Sequence, residues 1–224
     1  MPVSPLFNPA EIDAIIFDLD GTLIDTDNAD VAQWTRRLAR LRGNRAKADS
    51  RRLVMALETP VNAAFSLLDL VGLDTPLTRL LIRVNSGDDT AALAATPGAI
   101  EAVILLATRF RLAIASTREV AEGKLFLAAT GLLPYFSAFA GRDTVWRIKP
   151  HPEPVLQAAA ALKIPVSRCL MVGDTTVDIR AGRRAGAFTC GLLCGYGQRR
   201  ELERVGADLI LPHTGYLHDV CGME

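Results

Sequence analysis

Several features that would place a chain outside the ordinary globular class are scarce or missing here. There is no excess of charge: 25 Lys and Arg residues are matched by 25 Asp and Glu, so no global field draws the chain to nucleic acid or to an anionic membrane surface. Cysteine is sparse. The four residues at 169, 190, 194 and 221 form neither a dense disulfide framework nor paired C-x-x-C metal spacing, and they are expected to be reduced thiols of a cytoplasmic protein. A Cys190/Cys194 metal pair is the sharper alternative, and it lacks partner ligands nearby. Long apolar runs are absent too. Although 50% of the residues are hydrophobic, charge, proline or glycine interrupts every run well short of a bilayer span. Residues 1–12 lack a basic segment followed by an apolar one, so no secretory signal is expected.

Missing motifs narrow the chemistry further. There is no G-x-S-x-G elbow for a serine hydrolase and no G-x-x-x-x-G-K-[ST] loop for a nucleoside triphosphatase. Gly195-Tyr196-Gly197 lacks the third glycine of a dinucleotide fingerprint and is read as a turn. His151, His213 and His218 have no metal spacing and are expected in loops or at the surface.

What is present has a clear rhythm. Ala14-Ile15-Ile16-Phe17 is a short apolar run ending at acidic residues and a glycine, the signature of a buried parallel strand entering a loop. The signature recurs at residues 112–115 and 169–172, with weaker versions around Phe139 and at residues 187–190 and 209–211. Helical patterns alternate with these runs. One spans residues 97–108 after a capping Thr96, others span 118–130 up to Gly131 and 152–162 from Pro152, and two more cover 174–185 and 199–205. Alternation of this kind predicts an α/β fold, a doubly wound and mostly parallel sheet.

Residues 27–95 break the pattern. They read as helices at 29–41, 51–57, 60–70 and 77–84 with no strand between them, so they are expected to form a helical cap inserted into a core of residues 1–26 and 96–224. In open parallel sheets ligands bind beyond the carboxyl ends of the strands, and an insertion leaving that edge would cover the site. Arg36, Arg37, Arg40, Arg42, Arg45, Lys47, Arg51 and Arg52 make the first half of this segment basic. They form either a solvated helical face or a means of attracting a polyanionic substrate.

Four stretches carry chemistry. In Asp18-Leu19-Asp20-Gly21-Thr22 alternate strand residues share one side, so both carboxylates can face a single ligand. Two carboxylates held close cannot both ionise freely, which lets one attack or bind metal while the other holds or accepts a proton. By itself Asp-x-Asp-Gly is also an ordinary strand-to-turn junction. Ser116 ends a second strand, where a turn or helix-capping role is the commoner one for a serine taken alone, and Thr117 and Arg118 follow it. Lys149 stands in the proline-rich stretch Lys149-Pro150-His151-Pro152, and Asp174 and Asp178 follow a third strand in Gly173-Asp174-Thr175-Thr176-Val177-Asp178. The last pair could cap a helix or hold a cation that prefers carboxylates and water.

Taken together, and in this order, the stretches resemble the four motifs of the haloacid dehalogenase superfamily, in particular its phosphoglycolate phosphatase-like branch with a helical cap. The resemblance implies a Mg²⁺-dependent phosphatase acting on a small phosphorylated metabolite: phosphoglycolate-like, a sugar phosphate or a nucleotide. It makes Asp18 the nucleophile that forms an aspartyl phosphate and Asp20 the acid and then the base. Ser116 and Thr117 would bind the phosphoryl oxygens together with the backbone N–H groups of Leu19 and Asp20, and Lys149 would offset charge. Mg²⁺ would be held by Asp18, the backbone carbonyl of Asp20 and Asp174, with Asp178 as ligand or water holder. Many relatives have Asn after the hydroxyl residue where this chain has Thr117, and Arg118 could reach a carboxylate or second phosphate on the substrate. A phosphomutase of the same fold and a non-catalytic regulator are the rival readings. Dehalogenases of the family lack the second aspartate that this chain has at Asp20.

Overall fold

The computed structural model describes residues 8–25 and 94–223. Within them six strands form one parallel sheet: β1 (Ala14–Phe17), β2 (Arg111–Ala115), β3 (Phe136–Ala140), β4 (Cys169–Gly173), β5 (Phe188–Leu192) and β6 (Leu209–Leu211). Their spatial order is β3-β2-β1-β4-β5-β6, and every pairing is parallel. The expected doubly wound α/β core is therefore present.

Helices α1 (Ala99–Leu106), α2 (Val120–Ala129), α3 (Glu153–Leu162), α4 (Thr176–Ala185), α5 (Arg199–Arg204) and α6 (Leu217–Val220) fill the crossovers and the end of the chain. They pack on both faces because the strands alternate. Ile15 and Phe17 join Leu112, Ile114, Leu170 and Val172 in one core with residues of α1 and α2. Ala14 and Ile16 face the opposite way, with Ala113, Met171 and residues of α3 and α4. The four β1 side chains are fully buried, and each large one contributes about 1.5–3 kcal/mol of transfer free energy.

Some boundaries differ from the sequence reading for a local reason. Thr96 does not cap α1, whose N-cap is Gly98; the Thr96 hydroxyl instead donates to the Thr22 carbonyl at 2.7 Å. The Thr214 hydroxyl donates to the same carbonyl at 2.7 Å, so two buried threonines pin the turn that follows β1.

Of the segment expected to be a helical cap, residues 27–93, with the basic run, lie outside the described residues. Its last two residues lie beside the chain that enters it. Ile24 bridges Ala95 in antiparallel fashion, and the Asp25 N–H donates to the Ala94 carbonyl at 2.8 Å.

β1 lies between β2 and β4, so neighbouring connections leave it in opposite directions and a crevice opens beyond its carboxyl end. Phe17 is level with Ile114 on one side and Val172 on the other. The residues just past these strand ends, Asp18, Ser116 and Asp174, therefore gather in one place although the chain separates them widely.

Candidate active site

Asp18 extends the ladder one residue past β1, its N–H donating to the Val172 carbonyl at 2.8 Å. Its side chain is nearly buried and points at a cation: Lys149 Nζ lies 2.7 Å from Asp18 Oδ1 and 2.6 Å from Asp178 Oδ1. A lone lysine in a proline-rich loop is usually solvated, but this one is 4% exposed. Its loop joins β3 to α3, and the Lys149–Pro150 peptide is cis.

Asp178 opens α4 and works in two directions. Its Oδ2 accepts from the backbone N–H and the hydroxyl of Thr175, at 3.1 and 2.6 Å, closing a capping box, while Oδ1 meets Lys149. Thr175 is thus the N-cap in the structure, and Asp174 is released from that duty to face the crevice. Asp174 is fully buried, and its Oδ2 accepts from the Tyr196 N–H at 2.8 Å.

Burial and charge act strongly on this cluster. Burial pushes the Asp18 carboxyl up from 3.8 to about 7; Lys149 pulls it back, while Asp178 and Asp20 push it further. Burial alone would push the Lys149 ammonium down, but Asp178 and Asp18 outweigh it and hold the group above its ordinary range. Carboxylate oxygens of Asp18, Asp174 and Asp178 all lie within 4.8 Å of one another, and no other set of three or more acidic, histidine or cysteine ligands is found among the described residues. Three buried carboxylates around one ammonium leave negative charge in excess. A hard divalent cation fits such an all-oxygen set, and it would keep Asp18 ionised where Lys149 alone does not.

Ser116 sits just past β2, buried, with its N–H donating to the Ala140 carbonyl at 2.9 Å. Its Oγ accepts from the Arg118 N–H at 3.1 Å, the local turn expected of such a serine, and accepting leaves the hydroxyl proton available to donate elsewhere. Thr117 follows, half-buried at the same edge. Arg118 grips Asp20: Nε donates to Oδ1 and Oδ2 at 3.0 and 2.8 Å, and Nη2 donates to Oδ1 at 2.7 Å. The structure thus brings the six residues Asp18, Ser116, Thr117, Lys149, Asp174 and Asp178 to one edge, with Asp20 and Arg118 paired beside them.

The turn after β5 is a wall of this site that the sequence reading missed. A Cβ on Gly195 would collide with the Asp174 carboxylate, and one on Gly197 with the Asp174 carbonyl. A Cβ on Gly21, at φ +70°, would also collide with the Asp174 carboxylate, and a side chain there would bring backbone strain as well. Two glycines flanking one residue at a strand end were the available signal. The histidines stand apart, in local roles: His151 and His213 accept from nearby backbone N–H groups, and His218 pairs with Asp219. Cys194 Sγ donates to the Gly21 carbonyl at 3.1 Å, and all four cysteines are free thiols.

A family model for haloacid dehalogenase-like hydrolases matches residues 15–192, a span that contains Asp18, Asp20, Ser116, Thr117, Arg118, Lys149, Asp174 and Asp178. The chain belongs to the haloacid dehalogenase-like hydrolase family. Among similar proteins, the "Probable phosphatase IndB" of Dickeya dadantii is 31% identical over 88% of this chain and 88% of its own length. "Pyrophosphatase PpaX" of Anoxybacillus flavithermus is 29% identical over 95% of this chain and 98% of its own. A plasmid-borne phosphoglycolate phosphatase of Cupriavidus necator is 28% identical over 88% of both chains. The crystal structure of a haloacid dehalogenase family hydrolase from Deinococcus radiodurans, with bound phosphate and sodium, is 26% identical and superposes with a TM-score of 0.69 over 95% of this chain and 97% of its own. As a haloacid dehalogenase-like hydrolase with phosphatase relatives, the chain is an enzyme of the phosphatase class expected from its motifs. No helix among the described residues is long and apolar enough to cross a membrane.

Proposed function

We propose that this chain is a Mg²⁺-dependent phosphatase that hydrolyses a small phosphorylated metabolite through a phosphoryl group carried on Asp18. The observation that supports the reading most is the Lys149 ammonium set between Asp18 and Asp178, with the Asp174 carboxylate in the same buried cluster. That arrangement is well suited to bringing an anionic nucleophile up to an anionic phosphorus centre.

In this reading an Asp18 carboxylate oxygen attacks phosphorus, the bond to the leaving oxygen breaks, and Asp20 gives that oxygen a proton. In the second half Asp20 takes a proton from water, whose oxygen attacks the same phosphorus and returns Asp18 as a free carboxylate. Ser116, Thr117 and the N–H groups of Leu19 and Asp20 would hold the phosphoryl oxygens. The cation would be held by Asp18, Asp174 and the Asp20 carbonyl, and it supplies charge neutralisation of the phosphoryl group. Asp178 has protein partners for both oxygens, which favours a role in fixing Lys149. Residues 27–95 as a cap and a cytoplasmic setting for the free thiols belong to the same proposal.

The test is a panel of phosphorylated metabolites with Mg²⁺, run on wild type and Asp18→Asn. Release of inorganic phosphate by wild type, lost by at least about 10³-fold in the variant, is the expected result. Wild-type turnover no higher than the variant's would end the proposal.

A further inference from the structure

The proposed chemistry makes no use of the arginine that holds Asp20. We propose that Arg118 is a specificity-determining residue: it exchanges the Asp20 carboxylate for a second anionic group on the entering substrate, so that the enzyme favours phosphoryl compounds whose leaving group carries a carboxylate or another phosphate. This inference rests on the phosphatase reading above.

Three observations carry it. The first is occupancy. Both Asp20 oxygens accept from Arg118, through three N–H contacts of 2.7–3.0 Å, so most of the carboxylate's acceptor capacity is taken and its plane is fixed toward the arginine rather than toward a leaving-group oxygen. The second is that only the side chain of Arg118 is free to make the change. Its backbone is locked, with the N–H on Ser116 Oγ at 3.1 Å and the carbonyl accepting from Arg142 N–H at 3.0 Å. Just beyond, Arg142 Nη2 holds Glu119 at 2.9 Å, and Asp143 accepts from the Val120 N–H at 3.0 Å. The third is access. The Arg118 and Asp20 side chains are 22% and 28% exposed, whereas Lys149 and Asp178 beside them are 2% and 1% exposed.

The carboxylate now in the fork also reports what the fork accepts. A guanidinium binds planar two-oxygen anions through parallel N–H donors, and a substrate carboxylate or phosphate presents the same pair of oxygens as Asp20. The guanidinium is held on Asp20, the proposed acid, while the Arg118 backbone is bonded to Ser116 Oγ, so the fork stands where the near end of a short leaving group would lie. A substrate with a second anion repays the broken Arg118–Asp20 contacts as it binds. One with an uncharged leaving group has to break them without replacement.

The experiment compares kcat/KM with Mg²⁺ for pyrophosphate and phosphoglycolate against phenyl phosphate, whose leaving group is uncharged, in wild type, Arg118→Lys and Arg118→Gln. Wild type is expected to prefer the two substrates whose leaving group carries an anion. In Arg118→Gln that preference falls at least ten-fold, mainly through KM, and Arg118→Lys, which keeps the charge without the fork, lies between. The Ki of methylenebisphosphonate against that of methylphosphonate shifts in the same sense, a binding readout independent of turnover. Equal losses on all three substrates, or a wild type without the preference, overturn the exchange while leaving the phosphatase reading intact. A wild type that releases phosphate from none of a broad panel, and no more than Asp18→Asn does, removes both.

Discussion

At the scale of single residues, the charge on Asp18 decides much of the behaviour. Its carboxyl rises from 3.8 to about 7 on folding, chiefly because it is buried. Below pH 3.8 it is neutral in both states and costs nothing. As pH rises from there to about 7 the unfolded chain ionises while the folded chain keeps its proton, so stability drains away across that window and the loss is complete above it. Asp18→Asn removes this cost. In EDTA at pH 8 the variant is therefore expected to melt at a higher temperature than wild type although it releases no phosphate, with the gain shrinking toward pH 4. A lower melting temperature at pH 8 would show that the Lys149 contact outweighs burial. Gly195 is a second decisive position, because any side chain there drives the Asp174 carboxylate out of place. Gly195→Ala is expected to weaken Mg²⁺ binding at least ten-fold in titration calorimetry, a cost on the scale seen for residues that orient metal ligands.

Among the elements, α4 ties stability to the site, since its capping box uses the same Asp178 that holds Lys149. Thr175→Ala removes the hydroxyl contact to Asp178 Oδ2 and the side-chain half of the capping box while keeping the backbone contact, and is expected to cost about 0.5–2 kcal/mol in urea denaturation and to lower kcat by loosening Lys149. The Arg199–Glu203 pair on α5 is an instructive contrast. It spans 3.8 Å between side chains that are 42% and 50% exposed, so Glu203→Gln should stay within about 0.5 kcal/mol of wild type. Elements were legible in the sequence where burial was complete. β1, β2 and β4 read directly because both faces are covered and the runs are continuously apolar. β3 read weakly because it is an edge strand, with Ser137 exposed among partly covered neighbours. Helices α2 and α4 start two residues later than their patterns suggest, because Arg118 and Asp174 are committed to the crevice instead. The motif residues stood out through their order along the chain, since each stretch taken alone has an ordinary turn, cap or solvent-exposed reading. The Arg118–Asp20 grip and the glycine wall around Asp174 were not, because they depend on which strand ends become neighbours. The residues of that grip are 98 apart in the chain, and Tyr196 is 22 from Asp174.

For the molecule as a whole, the site is a product of the global fold rather than of any one segment. Asp18, Ser116 and Asp174 come together only when β2 and β4 have docked on either side of β1, and Lys149 arrives on the loop that follows the edge strand β3. A cation held between these strand ends can bind the folded chain and has no comparable site in the unfolded one, so metal and fold must stabilise each other. Mg²⁺ at a hundred times its dissociation constant adds about 2.7 kcal/mol, which in a domain of this size raises the melting temperature by about 5–10 °C. The rise should be lost in Asp174→Asn, which removes one carboxylate of the buried cluster, and kept in Asp219→Asn, whose side chain is 62% exposed and paired with His218. Differential scanning fluorimetry over a Mg²⁺ series reads both. If Asp174→Asn gains as much from Mg²⁺ as wild type, the cation is not at these strand ends, and the excess charge of the buried triad must be balanced in some other way.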